Sequence, residues 1–180
     1  TDPQYWAYKH MAGLSSKSSI LITELSVYPA VFRFDCKKIV LSSSTFPIGT
    51  FFEKHFAPFG DLGAGGSVAS SAWNFAYFCG AREIYVCGLD LSYPKKETHI
   101  RGSSAEQNFH KISNRITNVE QFSCNMQFCA NPQFSVDYKG NKVLTDSRML
   151  MFAWWFESRI AACSDSKTYS LCEHSLKIPG

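Results

Sequence analysis

Between Asp61 and Gly88 a glycine-rich turn, an apolar-striped segment with a glycine stop and a short β-branched run follow one another without a break. No other stretch constrains the fold as strongly, because the hydrophobic period changes here from helical to extended. Val68, Ala72, Phe75, Ala76 and Cys79 stand at i, i+4, i+7, i+8 and i+11, the stripe of a core-facing helix. Ser67 precedes it as an N-cap, and Gly80 follows where a left-handed C-cap belongs. Glu83–Gly88 then reads as a buried strand, as do Ser19–Leu25, Lys37–Ser43 and Lys167–Glu173. A second helix is expected from Ser103 or Ser104, where Ser103-x-x-Glu106 forms a capping box, running irregularly toward Phe122. Val136–Leu144 reads as a hairpin turning at Gly140-Asn141, followed by a long helix from about Thr145 to Ala162. Strands alternating with helices predict an α/β fold, a Rossmann-like three-layer sandwich with a mainly parallel sheet. Residues 1–180 read as one domain, with polar, pattern-poor residues 103–135 as its lid or insertion.

Composition narrows the partners. The 180 residues are 45% hydrophobic and 15% aromatic, enough for one good core. Eighteen basic against 15 acidic residues give a net charge of +3, too small and too scattered for a nucleic-acid surface. No run reaches the roughly 18 apolar residues of a membrane span, and no signal peptide is visible. The seven cysteines are odd in number and include no Cys-x-x-Cys pair, which favours reduced thiols in a cytoplasmic protein over a disulfide framework. A zinc site from Cys124, Cys129 and His110 lacks further partners at ligand spacing, so no metal is expected.

The turn and strand carry the chemistry. A helix start offers unpaired amide donors and a partial positive charge, and Gly63, Gly65 and Gly66 before Ser67 let an anionic group approach the backbone. The same glycines also suit a tight turn alone. Strand Glu83–Gly88 delivers Asp90 at its carboxyl end, where open α/β sheets bind their ligands. Asp90 equally suits a turn residue. His99, beside Arg101 and Gly102, is a candidate acid/base because imidazole titrates near neutrality, with His110 as its rival. A phosphate-bearing ligand, best a nucleotide, fits this set. The glycines are neither the G-x-G-x-x-G fingerprint nor a Walker A loop.

The run "GGSVASSAWNFAYFCGAREIYVCGLDLSYPKKETHIRG" resembles the core of the MptE-like domain family, which joins a G-S-V-A helix start to a G-x-x-x-I strand, a G-x-D-L turn and a histidine. "TDPQYWAYKHMAGL" is similar to that family's first aspartate strand end, with Asp2, Tyr5, Trp6 and His10 in order. "YKGNKVLTDSRMLMFAWWFESRI" resembles its later turn and helix, with Thr145 closing the turn. The family includes motility-associated factors implicated in moving nonulosonic, sialic-acid-like sugars to flagellin, and an archaeal 6-hydroxymethylpterin diphosphokinase. "AREIYVCGLDL" is also similar to bacterial sialyltransferases that use CMP-sugars. The resemblance implies that Gly65, Gly66 and Ser67 hold nucleotide phosphate or ribose, Asp90 orients the sugar, His99 is the base, and Asp2 and Tyr5 position donor or acceptor. It also implies an upstream strand and G-x-G-P-S-L-type loop, and this sequence is expected to start just after where that loop belongs.

The resemblance thus leads to glycosyl transfer from a CMP-sugar donor to a protein hydroxyl such as flagellin's, with no required cofactor and no D-x-D pair to hold a metal. The alternative is pyrophosphate transfer from ATP with Mg²⁺ to a pterin, with Asp61 and Asp90 as metal carboxylates and Trp73, Phe75 or Tyr93 as an aromatic slot. A third reading is a nucleotide-binding module without catalysis, using Trp154, Trp155 and Phe156 as a contact surface.

Overall fold

A computed structural model describes residues 5–63 and 65–179. The chain is mixed α/β and divides into two compact units, residues 1–64 and 65–180.

In the first unit, helix α1 (Tyr5–Met11) is followed by strands β1 (Ser15–Glu24) and β2 (Asp35–Ser42), which pair in parallel from Ile20↔Lys38 to Glu24↔Ser42. Their short connection supplies Val27 and Val31, which bury against Ala7 of α1. Helix α2 (Pro47–His55) is tied back through its polar side: Glu53 accepts from the Ser43 hydroxyl at 2.6 Å and the Ser44 amide at 2.9 Å. These two donors, led by the Ser43 hydroxyl, hold the Glu53 carboxyl below its ordinary value. Phe51 and Phe56 are exposed.

The second unit holds helix α3 (Val68–Phe78), strand β3 (Glu83–Val86), helices α4 (Ser104–Ile112) and α5 (Val119–Cys129), hairpin strands β4 (Pro132–Val136) and β5 (Lys142–Asp146), helix α6 (Ser147–Ala162) and strand β6 (Lys167–Ser170). β3 and β6 pair in parallel from Glu83↔Lys167 to Val86↔Ser170, and β4 and β5 are antiparallel. The parallel pairing therefore takes the form of small two-stranded sheets. Trp73, Ile84, Leu91, Val143, Ala153, Phe156, Cys163 and Leu176 form the core.

Local signals fall where the sequence places them. Ser67 caps α3, Ser103 caps α4 through the Glu106 amide, and the hairpin turns over Asp137–Asn141 with Gly140 at φ +83°. The inward face of α3 differs from the apolar stripe. Val68, Phe75 and Cys79 are exposed, whereas Ser70, Trp73 and Asn74 are buried. The reason is long-range polar pairing: the Trp73 indole N–H donates to the Thr168 hydroxyl at 2.9 Å, and Arg159 donates to Asn74 Oδ1 at 3.0 Å. Trp73 also stacks on Tyr77 and meets Trp155 edge-on. Residues 103–135 hold helices α4 and α5, whose Phe109 and Phe122 rings stack at 5.7 Å, and most of strand β4. Phe156 is buried and Trp155 packs on the core, so of this trio Trp154 alone faces outward, 66% exposed.

Candidate functional site

The start of α3 is shaped by its glycines. Gly65 is buried, and a Cβ there would lie 2.3 Å from the Ser70 side chain and 2.8 Å from Trp155. Gly66 takes φ +74°, a region L side chains rarely adopt, and a Cβ would meet the Phe152 ring at 2.8 Å. The backbone can therefore turn here against α6 only without side chains. Ser67 Oγ accepts from the Ala69 amide at 3.3 Å, and the Ser70 hydroxyl donates to the Ser67 carbonyl at 2.5 Å. The Ala69 amide is thus taken by the Ser67 cap and the Ser70 amide donates to the Ser67 carbonyl at 3.1 Å, while Gly66, just ahead of the helix, is exposed.

β3 ends in a turn held from three sides. Asp90 is half-buried and accepts from the Cys172 thiol at 3.3 Å, while its carbonyl accepts from the Leu176 amide at 2.8 Å. Leu91 takes φ +47°, strained for a branched side chain, and is buried. Its carbonyl accepts from the Thr145 hydroxyl at 2.8 Å, and the Tyr93 amide donates to the Leu144 carbonyl at 2.7 Å. The Tyr93 phenol donates to the fully buried Asp146 carboxylate at 2.5 Å. Burial, then that hydrogen bond, pushes the Tyr93 phenol up to about 12, so it remains a donor at neutral pH. Asp146 also caps α6 by accepting from the Met149 amide at 2.8 Å, with the Arg148 guanidinium 3.7 Å away. Tyr93, Thr145 and Asp146 thus fix Asp90 in place; the sequence signal for Asp146 was local, an N-cap residue before a helix, and its second role was not visible.

His99 and His110 are both exposed, His99 on the loop before α4 and His110 in the last turn of that helix. The loop ahead of His99 is fastened by Gln127 of α5, which donates to the Lys96 carbonyl at 2.5 Å, and by Thr98 and Ser123, whose hydroxyls lie 3.2 Å apart. Among the described residues no hydrogen bond joins Asp90 to Ser67. Tyr5 opens α1 in the other unit and is 49% exposed, and Asp2 lies outside the described residues. Trp73 and Tyr93 are 3% and 4% exposed and so belong to the core rather than to an aromatic slot, while Phe75 is exposed.

Asp61 Oδ1 accepts from the Gly63 amide at 2.7 Å, an Asx turn, and among the described residues no group of three His, Cys, Asp or Glu side chains could hold an ion. Cys124 and Cys129 are exposed free thiols. No helix among the described residues is long and apolar enough to cross a membrane.

Residues 1–96, more than half of the chain, match the model of the family described as 6-hydroxymethylpterin diphosphokinase MptE-like. The chain belongs to that family. Within this match fall the α3 start, β3 and the Asp90 turn, so the MptE-like region carries most of the candidate site. The MptE-like chain is also similar to an uncharacterized protein of Treponema pallidum (strain Nichols), 36% identical over 213 aligned positions. That alignment covers 99% of this chain and 53% of the treponemal protein, so the chain spans about half the length of this relative. No solved structure matches. The likeness to bacterial CMP-sugar sialyltransferases is not borne out by these matches.

Proposed function

We propose that the MptE-like chain takes part in glycosyl transfer from a CMP-activated nonulosonic acid to a protein hydroxyl, on a Rossmann-like three-layer scaffold. The observation that carries the reading is the glycine-shaped start of α3, where Gly66 is exposed at φ +74° and its backbone can be approached without a side chain in the way. In the transfer, the acceptor hydroxyl oxygen bonds to the anomeric carbon as the bond to the CMP phosphate breaks. CMP leaves with the bonding electrons. The amides at Gly66–Ser67 stabilise the charge gathering on its phosphate, and buried Gly65 lets the turn that presents them close against Ser70 and Trp155. His99 takes the acceptor proton and Asp90 orients the sugar. A flagellin-like protein is the acceptor class.

One observation favours a second reading, pyrophosphate transfer from ATP with Mg²⁺ to a pterin: the description of the matched family. Two features speak for the first reading instead. Trp73 and Tyr93, two of the three rings considered for a pterin, are committed to the core while Phe75 is exposed, and the carboxylates of Asp61 and Asp90 each accept from a partner of their own.

Calorimetric titration of CMP, and of ATP with Mg²⁺, into the chain and its Ser67→Ala variant separates these readings. The expected result is metal-independent CMP binding, weakened roughly tenfold or more in the variant, since a hydrogen bond to a charged group is worth about 1.5–3 kcal/mol. A thermal melt of the variant shows that it is folded. Metal-dependent ATP binding with no CMP signal would move the assignment to the pyrophosphokinase. Silence from both ligands would overturn both activities for this chain and leave a module without catalysis.

A further inference from the structure

The second unit contains a cavity of about 490 Å³ that none of the residues proposed for the nucleotide lines. Its size lies within the range of small-molecule sites. Val86 and Thr168 form its floor on the β3–β6 sheet, Phe156 and Ile160 of α6 form one wall, and Leu89 borders it one residue before Asp90. Lys177, on the segment after β6, completes the lining and is exposed.

The polar side chains on the lining are Tyr138, Thr168, Ser170 and Lys177, and Lys177 alone among them is charged. Thr168 Oγ accepts the Trp73 indole N–H at 2.9 Å, so its own proton remains to be donated to an acceptor in the cavity. Lys177 is a cation for which no carboxylate among the described residues serves as ion-pair partner. Its backbone is held in place, because its amide donates to the Val136 carbonyl at 3.0 Å. The adjoining Ile178 amide donates to the Tyr138 hydroxyl at 3.3 Å, which fixes a further part of the rim. An apolar chamber with a donor on its floor and a positive charge on its lining selects a particular chemistry.

We propose that this cavity is a binding site for a small aromatic anion: a flat apolar body between Phe156, Ile160 and Val86, a hydrogen-bond acceptor toward Thr168, and a negative head on Lys177. The site is separate from the α3 start and does not depend on the glycosyl-transfer reading.

The probes are 1-anilinonaphthalene-8-sulfonate and its uncharged counterpart N-phenyl-1-naphthylamine, titrated by fluorescence into the folded chain. One sulfonate probe should bind per chain. Lys177→Gln, at an exposed position that leaves the core intact, should weaken the sulfonate probe about three- to fivefold, the range of a solvent-facing ion pair, and leave the uncharged probe unchanged. Ile160→Trp, which fills the chamber, should weaken both probes at least about tenfold. CMP should displace neither. The proposal is overturned if the sulfonate probe does not bind, if Lys177→Gln affects both probes equally, or if the emission is lost on Phe56→Ser in the exposed aromatic patch of the first unit. If Ile160→Trp fails to melt cooperatively, the charge-selective loss in Lys177→Gln decides the question alone.

Discussion

The turn that carries Asp90 and the loop that carries His99 are near neighbours in the chain and are held in opposite ways. Leu91, Ser92 and Tyr93 are buried, and the Thr145 hydroxyl, the Leu144 carbonyl and the Asp146 carboxylate fasten the turn from a strand and helix some fifty residues later. Around His99, by contrast, His99, Ile100 and Arg101 are all exposed, and the fastenings include the Lys96 carbonyl, the Thr98 hydroxyl, the Arg101–Glu97 ion pair at 3.8 Å and the α4 cap. The difference suits the two proposed jobs. A group that orients a ligand gains from a fixed backbone, even a strained one, because misplacement is costly. A group that moves a proton at the surface needs access to its partner.

The largest effect that would sharpen this contrast is on activity. His99→Ala should lower sugar transfer by about 10²- to 10⁴-fold, the usual contribution of general acid–base catalysis. Full transfer in that variant, with loss in His110→Ala, would move the proton-transfer role one helix along. On stability the order reverses, and the Asp90 side dominates. Asp146→Ala removes the α6 cap and strands the buried Tyr93 phenol, a loss of about 2–4 kcal/mol by urea unfolding. A double-mutant cycle with Tyr93→Phe should then show coupling of about 0.5–3 kcal/mol, and simple additivity would break the claim that the two act as one unit.

Smaller effects test the glycine start and the hairpin. Gly66→Ala should cost about 1–3 kcal/mol, from the left-handed backbone and the approach to Phe152, whereas Gly140→Ala meets no neighbouring atom and carries the conformational part alone. Equal losses at the two positions would remove packing against α6 from the account. Acid unfolding tests Asp137, buried in the hairpin turn. Burial pushes its carboxyl up, but the amides of Asn141 and Lys139, the Asn141 side chain and nearby His174 outweigh it and hold the carboxyl below its ordinary value of 3.8. The stability it contributes is therefore complete above that value and is lost as the pH falls through its lower folded value. Asp137→Asn should flatten this part of the acid limb, the remainder resting on Glu53, Asp165 and Glu173, which are lowered too. An unchanged acid profile would count against Asp137.

What could be read early was what is local. Ser67 and Gly80 bracketed α3, Ser103 and Glu106 started α4, and Gly140-Asn141 turned the hairpin, because a cap or turn is made by residues within one turn of each other. The α3 stripe shows where this stops. Its apolar residues mark a face, yet Trp73 and Asn74 are drawn inward by Thr168 and Arg159, partners 95 and 85 residues away. α1 and α2 were also missed: both are short, and Phe46 ahead of α2 offers no side-chain cap to announce it.

The sequence by itself determined the family, the alternation of strands and helices after Asp61, and the glycine-shaped start of α3. It did so because period, capping and backbone freedom are written in neighbouring residues. Only the tertiary structure decided that Asp146 anchors the Asp90 turn, that Trp73 and Tyr93 are core rather than slot, and that a chamber opens beside Lys177. These depend on which distant groups satisfy a buried donor or fill a volume, and spacing along one chain does not encode that choice.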